Sequence, residues 1–282
     1  MKLSNDILSV IIFILLILLV VYAIYVFFRP KYGMTEGYRN TDSNKTVVLL
    51  KTHVWNDDLE KFASKIKYET SVSGIDFYIL MHCDKHQIFN EIKNDELKKH
   101  ILIFGRKNIE KVYDAGFYGM WLSNHWILMW FYKQFKDKYQ YFWTIEYDVR
   151  ISGDGTKIWN YKGNEDFLYP IKPFKDPKWR FKNHYVGAKM KNDDKYYGYL
   201  QLTRFSNRFL RYLDQHFTSG ENGQDELIIF SLFKRSKLKG SDKPLNKLIK
   251  DTWTVFPASS KKHRDILNKH ESENILILHP VK

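Results

Sequence analysis

Glu146, Asp148 and Arg150 stand at every second position of the segment Tyr141-Phe-Trp-Thr-Ile-Glu-Tyr-Asp-Val-Arg-Ile-Ser-Gly-Asp-Gly155. On an extended strand that spacing turns three charged side chains to one face and Ile145, Tyr147, Val149 and Ile151 to the other. The residues before them, 141–145, are aromatic and apolar on both sides, as a central strand covered on both faces requires. In open α/β sheets ligands bind beyond the carboxyl ends of the strands, which is where the charged half would lie. Two carboxylates one residue apart suit a hard divalent cation such as Mg²⁺ or Mn²⁺, and such a cation could bridge the phosphates of a nucleotide. The same alternation also fits a half-solvated strand end with a cross-strand ion pair to Arg150.

The elements that would hold this strand are readable on either side of it. Residues 46–50 form a continuous apolar run ahead of Lys51-Thr52-His53, and 57–68 has helical spacing through Leu59, Phe62, Ala63 and Ile66. Residues 75–81 form a second buried strand ending at His82-Cys83-Asp84. Strand, helix, strand in this order is a βαβ unit and implies a mainly parallel sheet flanked by helices. A short strand at 100–104 leads to a helix over 119–135, whose centre Trp126-Ile-Leu-Met-Trp-Phe131 is apolar on every side and must be buried. Beyond the acidic strand, which runs over 141–151, the pattern predicts strands at 185–190, 196–202 and 275–278 and helices over 206–216 and 224–233, with Ser206 as a helix cap.

Trp143-x-x-Glu146-x-Asp148-Val149-Arg150-x-x-Gly153-Asp154 resembles the metal-binding segment of glycosyltransferases of the GT-A fold. The likeness is closest to a family of membrane-anchored glycosyltransferase-like proteins whose segment reads W-x-x-E-x-D-V-R-x-x-G. The resemblance implies a GT-A-like, Rossmann-like catalytic domain over 46–282. It also implies a Mn²⁺ or Mg²⁺ ion, a nucleoside diphosphate sugar as donor, and a glycan, protein or lipid as acceptor. Carried over, Asp148 is the direct metal ligand, and Glu146 touches the ribose or reaches the metal through water, although the common first residue of this motif is Asp. Arg150 belongs to the same nucleotide-binding segment. Thr52, His53 and Asp84, at the ends of the first two strands, line the nucleoside pocket, and His279 after the last strand supplies a third metal ligand. Arg204 is a candidate for a phosphate. An inverting enzyme of this kind takes its base from an acid at a helix start, and here Asp225 and Glu226 fit, with Gly220 and Gly223 letting the loop approach a sugar.

Two rival readings keep the fold or the acidic strand but change the function. One is a membrane-anchored sugar-binding or structural protein without catalysis, because fold alone does not give function. The other is a metal-dependent phosphohydrolase.

After a tail of residues 1–6, the run 7–28 holds no charged residue. At about 1.5 Å per residue it is long enough to cross a hydrocarbon core of about 30 Å. It lacks the short apolar core and small-residue cleavage site of a signal peptide and ends in Tyr22, Tyr25, Phe27 and Phe28, so it reads as an uncleaved anchor followed by a polar stem over 29–45. Arg29, Lys31 and Arg39 after the anchor favour a cytoplasmic domain, whereas the family resemblance implies a domain in the lumen of the endomembrane system. The sequon Asn44-Lys45-Thr46 lies just past the anchor, and a lone Cys83 excludes an internal disulfide. The net charge of +13 is spread along the chain rather than gathered in a stripe, and with no RNA-binding or zinc-finger signature it gives no reason to expect nucleic acid.

Overall fold

The parallel sheet expected from the βαβ pattern forms. In the computed structural model of the protein, residues 45–82, 88–113, 122–186, 194–249, 252–254, 259–270 and 275–281 are described. The tail, the anchor over 7–28 and the stem up to 44 lie outside them, and among the described residues no helix is long and apolar enough to cross a membrane.

Strands β1 (Thr46–Thr52), β2 (Asp76–His82), β3 (Ile101–Phe104) and β4 (Tyr141–Glu146) are all parallel, ordered β3-β2-β1-β4. Beyond β4 come β8 (Leu202–Ser206), β6 (Phe167–Leu168) and β10 (Gly240–Ser241), with β8 antiparallel to both its neighbours. Small two-stranded ladders pair β5 (Arg150–Ile151) with β11 (Ile277–Leu278), and β7 (Tyr185–Val186) with β9 (Asn222–Gly223).

Period-2 alternation in β1 splits the core into two layers. Val48 and Leu50 face helix α1 (Asp57–Val72) through Phe62 and Ile66, together with Trp143, Trp159 and Leu202. Val47 and Leu49 face the other layer, with Trp126 and Met129 of α2 (His125–Phe135), Phe209 of α3 (Asn207–Thr218) and Phe230 of α4 (Asp225–Ser236). Each fully buried aliphatic or aromatic side chain contributes about 1.5–3 kcal/mol by leaving water. Helix α1 starts where Asn56 accepts the Leu59 N–H at 2.8 Å, with Asp57, Asp58 and Glu60 in the favoured first turn. Two further helices, α5 (Lys243–Ile249) and α6 (Ser260–His270), lead to the final strand.

The structure corrects several expected boundaries. The strand over 141–151 is two pieces: the chain turns after Glu146, where the Val149 N–H reaches back to the Glu146 carbonyl at 3.1 Å, and Arg150–Ile151 leaves the main sheet to pair with β11. The expected strand at 196–202 is irregular, and regular pairing begins at Leu202. There β8 is buried at every position, so it carries no alternation to announce it. The described part of the expected strand at 185–190 is β7, Tyr185–Val186, with 187–190 outside the described residues, and α2 begins at His125.

Candidate functional site

In the order β3-β2-β1-β4 the connections diverge from between β1 and β4, the switch point at which open α/β sheets leave a crevice beyond the strand ends. Lys51 and Glu146 are cross-strand neighbours there. Both continue the face of Val47, Leu49, Phe142 and Thr144, so they point to the side of α2 and α4. Lys51 Nζ lies 3.4 Å from Glu146 Oε1, and Asn124 Nδ2 donates to the same oxygen at 2.9 Å.

The turn after Glu146 places Asp148 beside the last strand. The register Leu278↔Arg150 and Ile277↔Ile151, extended by the Val281 N–H to the Asp148 carbonyl at 2.7 Å, carries His279 to Asp148. His279 Nε2 is 3.6 Å from Asp148 Oδ1. Ligand atoms of Glu146, Asp148 and His279 all lie within 4.8 Å of one another. His279 Nδ1 sits 2.7 Å from the Thr254 carbonyl. A carbonyl only accepts, so Nδ1 carries a proton there and Nε2 is the nitrogen turned to the carboxylates, the arrangement that orients a histidine for a metal. Trp253 lies against the imidazole, with ring centroids 5.0 Å apart.

Asp225 and Glu226 open α4 on the Lys51 side of the sheet. Neither caps the helix: Gln224 does, its Oε1 accepting the Leu227 N–H at 3.0 Å while its Nε2 donates to Asp225 Oδ1 at 2.9 Å and Glu226 Oε2 at 3.3 Å. Gln201 donates to Glu226 Oε1 at 3.2 Å. Burial, then the charge of Glu146, push the Asp225 carboxyl up to about 7, with Lys51 opposing. Burial and the charges of Asp225 and Glu146 raise Glu226 well above the usual carboxylate range. The expected base candidates and the expected metal ligands thus share one electrostatic neighbourhood.

Other expected site residues lie elsewhere or are engaged. Arg150 does not share a face with Glu146: its guanidinium stacks over Phe62, 4.9 Å from the ring centre, and donates to the Tyr147 and Val149 carbonyls at 2.7 and 2.9 Å. It braces the turn that aims Asp148. Arg204, considered for a phosphate, is buried and gives its guanidinium to the carbonyls of Tyr161, Gly163 and Glu165. Thr52 closes its own loop on Val54, donating to its carbonyl and accepting from its N–H. His53 is exposed and meets Tyr147 edge-on at 4.8 Å, and Asp84 lies outside the described residues. Ser206 caps α3 as expected, accepting the Phe209 N–H at 3.0 Å. Sequence reasoning passed over Lys51, Asn124 and Gln224, of which only Lys51, a lysine inside the apolar run TVVLLKT, stood out.

No protein-family model matches the chain, and no curated protein is similar to it in sequence. Solved structures with similarity include a glycosyltransferase involved in the glycosylation of the major capsid of PBCV-1, with TM-score 0.30 and 11% identity over 61% of this chain and 64% of that one. The inositol-1-phosphate CTP transferase from T. maritima gives TM-score 0.41 and 8% identity over 71% of this chain and 85% of that one. The glycosyltransferase GlyE of Streptococcus pneumoniae TIGR4 gives 0.37 and 14% over 84% and 55% respectively. The chain thus spans 64% of the length of the PBCV-1 enzyme. These neighbours transfer sugars or nucleotides, and likeness at this level carries no conclusion about this chain.

Proposed function

We propose that this chain is a metal-dependent glycosyltransferase of GT-A-like fold, moving a sugar from a nucleoside diphosphate sugar to an acceptor at a membrane to which residues 7–28 anchor it. The observation that supports this most is the gathering of Glu146, Asp148 and His279 within 4.8 Å at the switch point of the sheet. Two carboxylates and an imidazole held by a carbonyl are a donor set that fits a divalent cation, and the imidazole favours Mn²⁺ over Mg²⁺. Asp148, His279 and Glu146 would hold it. When bound, such an ion neutralises the leaving diphosphate and orients it.

The chain supplies the rest. Asp225 or Glu226 takes the proton from the acceptor hydroxyl as that oxygen bonds to the anomeric carbon, and the bond from that carbon to the phosphate oxygen breaks with both electrons leaving on the diphosphate. A carboxyl pushed up to about 7 is matched to proton transfer near neutral pH. Gln224 and Gln201 orient the pair.

The test is to incubate the full chain in detergent with a panel of nucleotide sugars, with and without Mn²⁺, and to measure nucleoside diphosphate release. Metal-dependent release is expected, and Asp148→Asn should abolish it together with metal-dependent nucleotide binding while the fold persists. Inorganic phosphate from many esters would make the protein a phosphohydrolase, and inactivity with every donor would leave a sugar-binding or structural role.

A further inference from the structure

Asn124 is the first-turn boundary residue of α2, a place where asparagine is favoured because its side chain accepts a helix N–H. It makes no such bond here. The start of α2 is closed by main-chain bonds instead, Trp126 N–H to the Ser123 carbonyl and Ile127 N–H to the Asn124 carbonyl. An amide facing a carboxylate must present its NH₂ group, and Asn124 Nδ2 sits 2.9 Å from Glu146 Oε1. Lys51 Nζ approaches the same oxygen from the neighbouring strand. No hydrogen bond falls on Glu146 Oε2 among the described residues.

The same loop is tied to the acid pair. The Asp225 N–H donates to the Leu122 carbonyl at 2.9 Å, two residues before Asn124. One loop therefore reaches both halves of the site, through the Asn124 side chain on the metal-cluster carboxylate and the Leu122 carbonyl on the main chain of the base candidate.

Resting on the metal reading above, we propose that Asn124 is a positioning residue: it fixes the Glu146 carboxylate through Oε1 so that Oε2 completes the ligand set with Asp148 and His279. Partners that orient ligands in this way typically change metal affinity 10- to 100-fold when removed. Lys51 is a poorer probe of this role. Deleting its charge also lifts a repulsion on the incoming cation, so the two effects on metal affinity oppose each other.

The experiment titrates Mn²⁺ alone into the full chain and reads free Mn²⁺ by electron paramagnetic resonance, for the unmodified protein, Asp148→Asn, Asn124→Ser and Asn124→Leu. Serine keeps the preference for a helix start but cannot reach Glu146, and leucine keeps the volume without a donor. The expected result is a 10- to 100-fold loss of Mn²⁺ affinity in both Asn124 variants, with the melting temperature of Asn124→Ser unchanged. Full Mn²⁺ affinity in Asn124→Ser, or in Asn124→Leu should the serine variant not fold, overturns the role of Asn124 while leaving the metal site standing if Asp148→Asn has lost binding. An unmodified chain that binds no Mn²⁺ overturns both.

Discussion

In the proposed reaction Glu226 and Asp225 are the candidate bases, and Gln224 rather than either of them caps α4. Asp225→Asn or Glu226→Gln is expected to lower turnover by about 10² to 10⁴ with nucleotide affinity nearly kept. Transfer at the original rate by both variants would remove the base from this helix. Their titration also marks the stability of the metal-free protein. A carboxyl raised from 3.8 to about 7 on folding holds a proton that the unfolded chain has released, so stability falls as pH rises through that window. Glu221 has the opposite sign: despite burial, His216, Tyr185 and Arg235 pull it from 4.5 down to about 2, so its contribution is present above 4.5 and fades only as pH falls through that lower range. Above the Glu221 window the buried acids govern, and the metal-free protein should melt higher at about pH 5 than at about pH 8. A flat or inverted profile would show that the pair is not held protonated. The acidic residues of the site were legible because carboxylates at alternate positions after an apolar run are a visible pattern. Lys51 stood out in its apolar run, but its partner depends on a strand register, and Asn124 was hidden because its role depends on a helix start that only the folded chain defines.

Among the elements, the segment after the acidic turn shows how a loop is made rigid enough to aim a ligand. Glu69 of α1 is buried and accepts the Gly155 N–H at 2.9 Å and the Trp159 indole N–H at 3.0 Å, with Lys65 as its ion-pair partner. A Cβ on residue 155 would lie 2.4 Å from Glu69 Oε2. Gly155→Ala should therefore cost about 1–3 kcal/mol, read as a lower denaturant midpoint, and a variant as stable as the parent would show that Glu69 can move aside freely. On the far side, Thr252 Oγ1 donates to the Ile277 carbonyl and His263 of α6 meets the Pro280 carbonyl at 3.1 Å, so the ladder carrying His279 is fastened from two directions. Strands β1, β2 and β4 announce themselves through long apolar runs, whereas β5 and β11 are two residues each and owe their strand character to one another. No local propensity marks such pairs. The break of the acidic strand after Glu146 was hidden for the same reason, since the alternation continues in sequence after the backbone has turned.

At the scale of the whole molecule, β1 starts at Thr46 and its partners β2 and β4 lie within the same domain. The chain from Lys45 onward is expected to melt as one cooperative unit in buffer without detergent. A requirement for detergent would place a further surface of this domain on lipid. The mixed sheet flanked by helices was readable from the order of apolar runs, while the antiparallel insertion of β8 was not, because a strand buried on both faces looks alike in either direction. The contact of Trp253 with His279, with centroids 5.0 Å apart, gives the proposed site an optical gauge of its own. Paramagnetic Mn²⁺ held by that imidazole should quench the indole emission, and Trp253→Phe should erase the metal-dependent signal while the fluorescence of the other tryptophans stays in place, so that cation occupancy can be followed by light without any sugar donor present.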